Sequence, residues 1–212
     1  MKRLVVTALL AVATAVAVAG AASAFNANGD GSVDATSIIR TPDTSNATTP
    51  SSALASQLAL ARLATAKYAT DITRAKADGY QIITRMIPMM GYHYLNPKVA
   101  GFDVRKPAIL VYIHRGATWQ LGALEWVFPK LPAKPPLPGA RYGAFAAACH
   151  YVDGTFVFES SQDKCAATSP QTGARFNFWH PPLVTMHVWL WYPNPAGIFS
   201  GTNPLVGAFA QS

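Results

Sequence analysis

The stretch PAILVYIHRGATWQLGALEWVFP, residues 107–129, decides the fold. Proline stands at both ends, and proline has no N–H to give to a sheet ladder. Between the prolines the residues are mostly β-branched, aromatic or aliphatic, with Arg115-Gly116 near the middle. That pattern predicts two antiparallel strands, 108–114 and 119–128, joined at the Arg-Gly turn. One residue breaks it. Glu125 sits on the strand face of Leu121, Ala123 and Val127. A buried carboxylate without a partner costs several kcal/mol, so it requires a histidine, an arginine, a backbone amide or a metal ion.

Downstream the chain supplies further strands. FAAACHYVDGTFVFESS, 145–161, predicts a second hairpin around Asp153-Gly154, a pair suited to the positive φ angles of a type I′ turn. A two-residue turn there would place Cys149, Tyr151, Phe156 and Phe158 on one face, and His150, Val157 and Glu159 on the other. LVTMHVWLWYP, 183–193, predicts a last strand lying centrally, with large residues on both faces. Between the hairpins, PKLPAKPPLPG, 129–139, is too rich in proline for a helix or a central strand and predicts a surface crossing. The tail from 194 is punctuated by Gly and Pro and reads as irregular.

Upstream the period changes. Leu58, Ala61, Thr65, Tyr68, Ile72 and Ala75 recur at spacings of three and four, which puts them on one helical face. Ser51 or Ser52 can cap the start, and Gly79 suits the position after the end. The expectation is one long N-terminal helix packed on a mainly antiparallel β-sheet: an α+β domain over 52–212. Before it, residues 25–51 are rich in Asn, Asp, Gly, Ser and Thr and read as a disordered polar linker.

Residues 1–24 read as a signal peptide: Lys2 and Arg3, an uncharged apolar run, then Ala22-Ser23-Ala24. Export of the Sec type to the periplasm or outside the cell follows. After cleavage no stretch is apolar enough for stable membrane insertion. Removing two basic residues lowers the formal charge from +7 to +5, and only 13% of residues are charged. No basic stripe forms, so a nucleic-acid partner is not expected. The two cysteines, Cys149 and Cys165, predict a disulfide in an oxidising compartment.

The common catalytic signatures are absent: no GxSxG, HExxH, P-loop or GxGxxG occurs in the sequence. What remains is five histidines. His114, beside a turn, and His150, near Asp153, read as solvated. His93, in MMGYHYLNP, and His187, on the last-strand face of Thr185, Trp189 and Trp191, are the candidates to meet Glu125, with His180 as a further member. Two histidines and a carboxylate would hold a divalent metal ion, zinc or similar. The alternative is that each histidine is a satisfied polar residue at a strand edge. Tyr92, Tyr94 and Trp189 are the candidate ligand-binding aromatics, and the same residues equally suit a core.

MGYHYLNP, PAILVYIHRG, LGALEWVFP and MHVWLWYPNPAGIF, with the AKYATDITRAKADGY helix, are similar to a group of exported bacterial proteins without an assigned activity. The resemblance covers about residues 60–206 and implies export, a helix-plus-sheet domain and a shared polar cluster. Members often carry a glutamate directly after the VY pair, where this chain has Ile113. Three functions stay open: a secreted or periplasmic small-ligand or metal-binding domain with its pocket near Tyr92, His93, Glu125 and His187; a metal-dependent enzyme using the same cluster; and a structural cell-envelope protein without metal.

Overall fold

A computed structural model describes residues 52–209 and the isolated strand Ser32–Val33. The expected signal peptide, 1–24, and the rest of the 25–51 linker lie outside the described residues. The chain is α+β. Its main sheet has the strands β1 (Ser32–Val33), β2 (Gln81–Ile87), β3 (Gly91–Leu95), β4 (Ile109–Arg115), β5 (Thr118–Phe128), β6 (Tyr142–Phe145) and β10 (Leu183–Val188), in the order β1-β6-β10-β5-β4-β3-β2. Every pairing in it is antiparallel. A second, three-stranded sheet holds β7 (Ala148–Tyr151), β8 (Phe156–Phe158) and β9 (Phe176–His180), in the order β8-β7-β9.

The 107–129 hairpin forms, with one irregularity that matters. Val111 pairs with Ala123, and the next residue, Tyr112, pairs with Leu121, so Gly122 is left out of the ladder. This bulge turns Leu121 away from Glu125 and into the core cluster of Leu124 and Trp126, whereas Ala123 and Val127 stay on the opposite side. The freed Gly122 carbonyl accepts from Trp191 N and Tyr192 N. That contact draws the chain after β10 away from the sheet, and Trp191 Nε1 donates to Thr65 Oγ1. The last strand therefore ends at Val188 instead of 193, and Trp191 does not share the face of His187.

The single long helix is not what forms. α1 (Ser52–Thr65) runs into one 3₁₀ turn, Ala66–Tyr68, and a separate α2 (Ile72–Ala77) follows. The expected face is nonetheless buried: Leu58, Ala61, Thr65, Tyr68, Ile72 and Ala75 are all 9% exposed or less. The break has a cause. Tyr112 Oη donates to the Tyr68 carbonyl and Leu121 N to the Ala69 carbonyl, so these acceptors serve the sheet and not the next helical turn. Asp71 then restarts the helix, accepting from the Thr73 and Arg74 amides. α2 ends in a Schellman pattern, with Gly79 N on Lys76 O and Tyr80 N on Ala75 O. Gly79 has the positive φ, 97°, that this cap requires.

The second hairpin differs in register from the two-residue turn. His150 pairs with Phe156, and residues 151–155 make the connection. A shift of one residue exchanges the faces of a strand. His150 consequently lies with Phe156 and Phe158, and Cys149 lies opposite Val157. The Cys149–Cys165 disulfide is present, with a Cα–Cα distance of 5.7 Å. Pro181-Pro182 separates β9 from β10, so the segment FWHPPLVTMHV changes sheet at the proline pair.

The turn after β7 docks on the outer edge of the main sheet. Arg85 N donates to Gly154 O at 2.8 Å, Arg85 pairs with Asp153, and His150 Nδ1 donates to Ile83 O at 2.8 Å. These bonds satisfy β2 where it would otherwise present an open edge. Gly154 has φ +81°, and a Cβ there would meet Ile82 Cγ1 at 2.8 Å and Arg85 N at 3.1 Å. Gly154→Ala is expected to cost about 2–3 kcal/mol from backbone strain and the displaced edge contact. Chemical denaturation of the two proteins measures this, and equal midpoints would show that the turn is not docked.

Candidate metal centre

His187 and Glu125 are directly opposite each other on the neighbouring strands β10 and β5. His93 comes from β3, two strands from β5, where its ladder partner across β4 is Val111. Alternation along β3 sends His93 to the Glu125 side and its neighbours Tyr92 and Tyr94 to the other. The three side chains meet in the interior and are each 4% exposed. His93 Nε2 lies 3.8 Å and His187 Nε2 3.6 Å from Glu125 Oε2, and the two Nε2 atoms are 3.5 Å apart. Glu125 Oε2 has no hydrogen-bond partner.

These distances are informative because they are nearly equal and too long for good hydrogen bonds. A triangle with such edges has a centre about 2.1 Å from each corner, within the 2.0–2.2 Å range of zinc–nitrogen and zinc–carboxylate bonds. The His93–Glu125–His187 group could thus hold a metal ion. Thr84, opposite His93 on β2, contributes a further contact: its Oγ1 lies 2.7 Å from His93 Nδ1 and accepts from the His93 amide. This hydroxyl holds the orientation of the His93 ring, with Nε2 turned to the carboxylate.

Electrostatics point the same way. Burial pushes the Glu125 carboxyl above its ordinary value of 4.5, opposed by the His187 ring and the Thr185 hydroxyl. Burial, helped by the neighbouring His187, holds His93 down at about 3. Burial thus works against the charged form of both groups. A divalent cation would favour the charged carboxylate and use the lone pair of the neutral imidazole.

The group lies at one wall of a cavity of about 270 Å³ between the two sheets. Ile83, Ile87, Met90 and Val127 line it from the main sheet side, and Phe156 and Phe158 from the second sheet. The remaining candidates lie elsewhere. His180 is not beside Glu125; the proline pair keeps it on the second sheet, with its Nε2 3.1 Å from His150 Nε2. Tyr92 and Tyr94 pack with Trp119 on the opposite face, at 5.0 and 6.1 Å between ring centres, and do not line the cavity. Trp189 is 4% exposed, donates to Ser200 O and belongs to the core beside Ile113 and Ala123. His150, expected to be solvated, is 1% exposed, because the longer turn moved it to the inner face. Thr84 had no sequence signal, since strand β2 carries no polar–apolar alternation that marks a site.

No family model, curated protein or solved structure matches this chain.

The buried histidines give the metal-free protein an acid limit. His93 and His150 are held below their ordinary 6.5, at about 3 and about 4, mainly by burial. Below pH 6.5 the unfolded chain gains protons that the folded one refuses, so stability falls as pH drops towards 4. Glu125, raised, acts in the opposite sense and loses stability as pH rises. The expected net loss is about 1–2 kcal/mol per pH unit between 6.5 and 4.5. Urea midpoints of chelator-treated protein across that range measure it; a flat profile would mean that both imidazoles charge within the fold.

Proposed function

We propose that the protein is an exported binding domain that holds one divalent transition-metal ion, zinc or similar, through His93, His187 and Glu125, and presents the ion's free position to a small ligand in the intersheet cavity. The observation that supports this reading is the buried Glu125 oxygen with no hydrogen-bond partner, facing two imidazole Nε2 atoms at metal-ligand separations. Three protein ligands leave a tetrahedral ion one position to fill. Two neutral imidazoles and one carboxylate leave a net charge of +1 on a divalent ion, which suits an anionic or lone-pair donor group. The apolar walls suit a ligand whose remainder is hydrocarbon or aryl. Export is supported by the disulfide; among the described residues, no helix is long and apolar enough to cross a membrane.

The same three-ligand set is the kind that activates water in hydrolytic enzymes, which is the second reading. A general base facing the open position would favour it. The other titratable group lining the cavity is His150, whose Nδ1 donates to Ile83 O and whose Nε2 is turned to His180 Nε2 at 3.1 Å. That favours binding over turnover.

Cobalt(II) or zinc(II) titration of chelator-treated protein tests the proposal. The wild type is expected to hold one equivalent at this centre, and His187→Ala and Glu125→Gln are each expected to weaken the binding of that equivalent at least 100-fold. Uptake unaffected by either substitution would refute the site.

A further inference from the structure

We infer that His150 and His180 form a second, independent metal-binding site, which takes a transition-metal ion between their Nε2 atoms. The pair lies on neighbouring strands of the second sheet, β7 and β9, where His180 pairs with Ala148. Each Nδ1 is fixed by a backbone carbonyl: His150 Nδ1 lies 2.8 Å from Ile83 O, and His180 Nδ1 lies 2.7 Å from Pro181 O. A carbonyl oxygen only accepts, so both Nδ1 atoms must be protonated. The two Nε2 atoms then face each other at 3.1 Å.

Two neutral imidazoles carry two protons, and both are used on the carbonyls. Neutral rings therefore bring two lone pairs together at hydrogen-bond distance. Moving one proton into the gap only shifts the conflict to a carbonyl. Three contacts need three positive centres, so a cation belongs between the rings. A third proton would put a full charge on one of two rings that pack against Phe145 and Phe178, His150 being 1% exposed and His180 partly buried. Burial holds His150 at about 4 and lowers His180 as well. A metal ion meets the same enclosure with two coordinate bonds to neutral imidazole, its preferred form as a ligand.

The surroundings are those of metal-bound histidine. Both rings donate their far N–H to a carbonyl, which fixes the tautomer and turns the Nε2 lone pair to the ion. With bonds of about 2.0–2.1 Å, a 3.1 Å separation gives an angle of about 100° at the metal, between the tetrahedral and octahedral values. Both histidines also line a second cavity of about 420 Å³, with Phe178 and Leu183, which leaves room for water or a ligand to complete the coordination. None of His93, Glu125 or His187 takes part, so the inference does not rest on the three-ligand centre.

Zinc(II) titration followed calorimetrically, with ¹⁵N NMR of the histidine side chains, tests it. The wild type is expected to bind two equivalents. His187→Ala should keep the one held by His150 and His180, and His180→Gln should keep the one held at Glu125. In the wild type the Nε2 resonances of His150 and His180 should move on zinc addition while both Nδ1–H signals persist, a readout that needs no variant to fold. No zinc-dependent shift at these nitrogens, or a second equivalent that survives in folded His180→Gln, overturns the inference. A third proton shared at neutral pH in the presence of zinc overturns it too. If instead the wild type binds one equivalent, lost in His180→Gln and kept in His187→Ala, this site stands and the Glu125 centre fails.

Discussion

A carboxylate buried in the middle of a seven-stranded sheet, with an oxygen that no donor reaches, is the constraint on which the rest of the site depends. Glu125 could have been any apolar residue as far as β5 is concerned, and the core around it would pack better. Its presence requires polar neighbours from strands distant in sequence. His187 answers from the strand beside it, and His93 from the far side of β4. His93 is oriented in turn by Thr84 on β2. Four strands thus commit a polar side chain to one point, and the order β10-β5-β4-β3-β2 is the order that allows it.

Much of this was legible before the structure. Glu125 stood out because a charge in an apolar strand is costly, and the same cost argued for histidine partners. Adjacent residues of one strand face opposite sides, so Tyr92 and Tyr94 do not join His93 in one pocket. What could not be read was local geometry that changes face or sheet. The Gly122 bulge moved Leu121 to the other core, and the longer connection at 151–155 reversed His150. Pro181-Pro182 sent His180 and His187 to different sheets although they are seven residues apart in sequence. The helix face was correct residue by residue. Its continuity was not, because long-range hydrogen bonds from Tyr112 and Leu121 compete for the carbonyls that would extend it.

The second sheet is small, and its three short strands do not make an independent unit. It is held in two ways. The Cys149–Cys165 bond closes the segment after β8 back onto β7, and the Ile83–His150 and Arg85–Gly154 bonds fasten the hairpin to the edge of β2. The same bonds set the far wall of the cavity, since Phe156 and Phe158 stand opposite the Glu125 centre. Edge protection and cavity formation are therefore one arrangement. An oxidising compartment suits it, because the fastening includes a disulfide.

The two imidazole groups differ in how the fold prepares them. At His150 and His180 the backbone fixes both tautomers, and a conflict remains between two lone pairs. At Glu125 the conflict is one of charge: burial raises the carboxyl towards its protonated form and holds His93 neutral. A metal ion there would meet a carboxyl already desolvated by the fold and an imidazole that needs no deprotonation. Low polarity around the cavity then strengthens the attraction between the ion and its single anionic ligand. The features that make this cluster expensive for the fold are the ones that favour a cation within it.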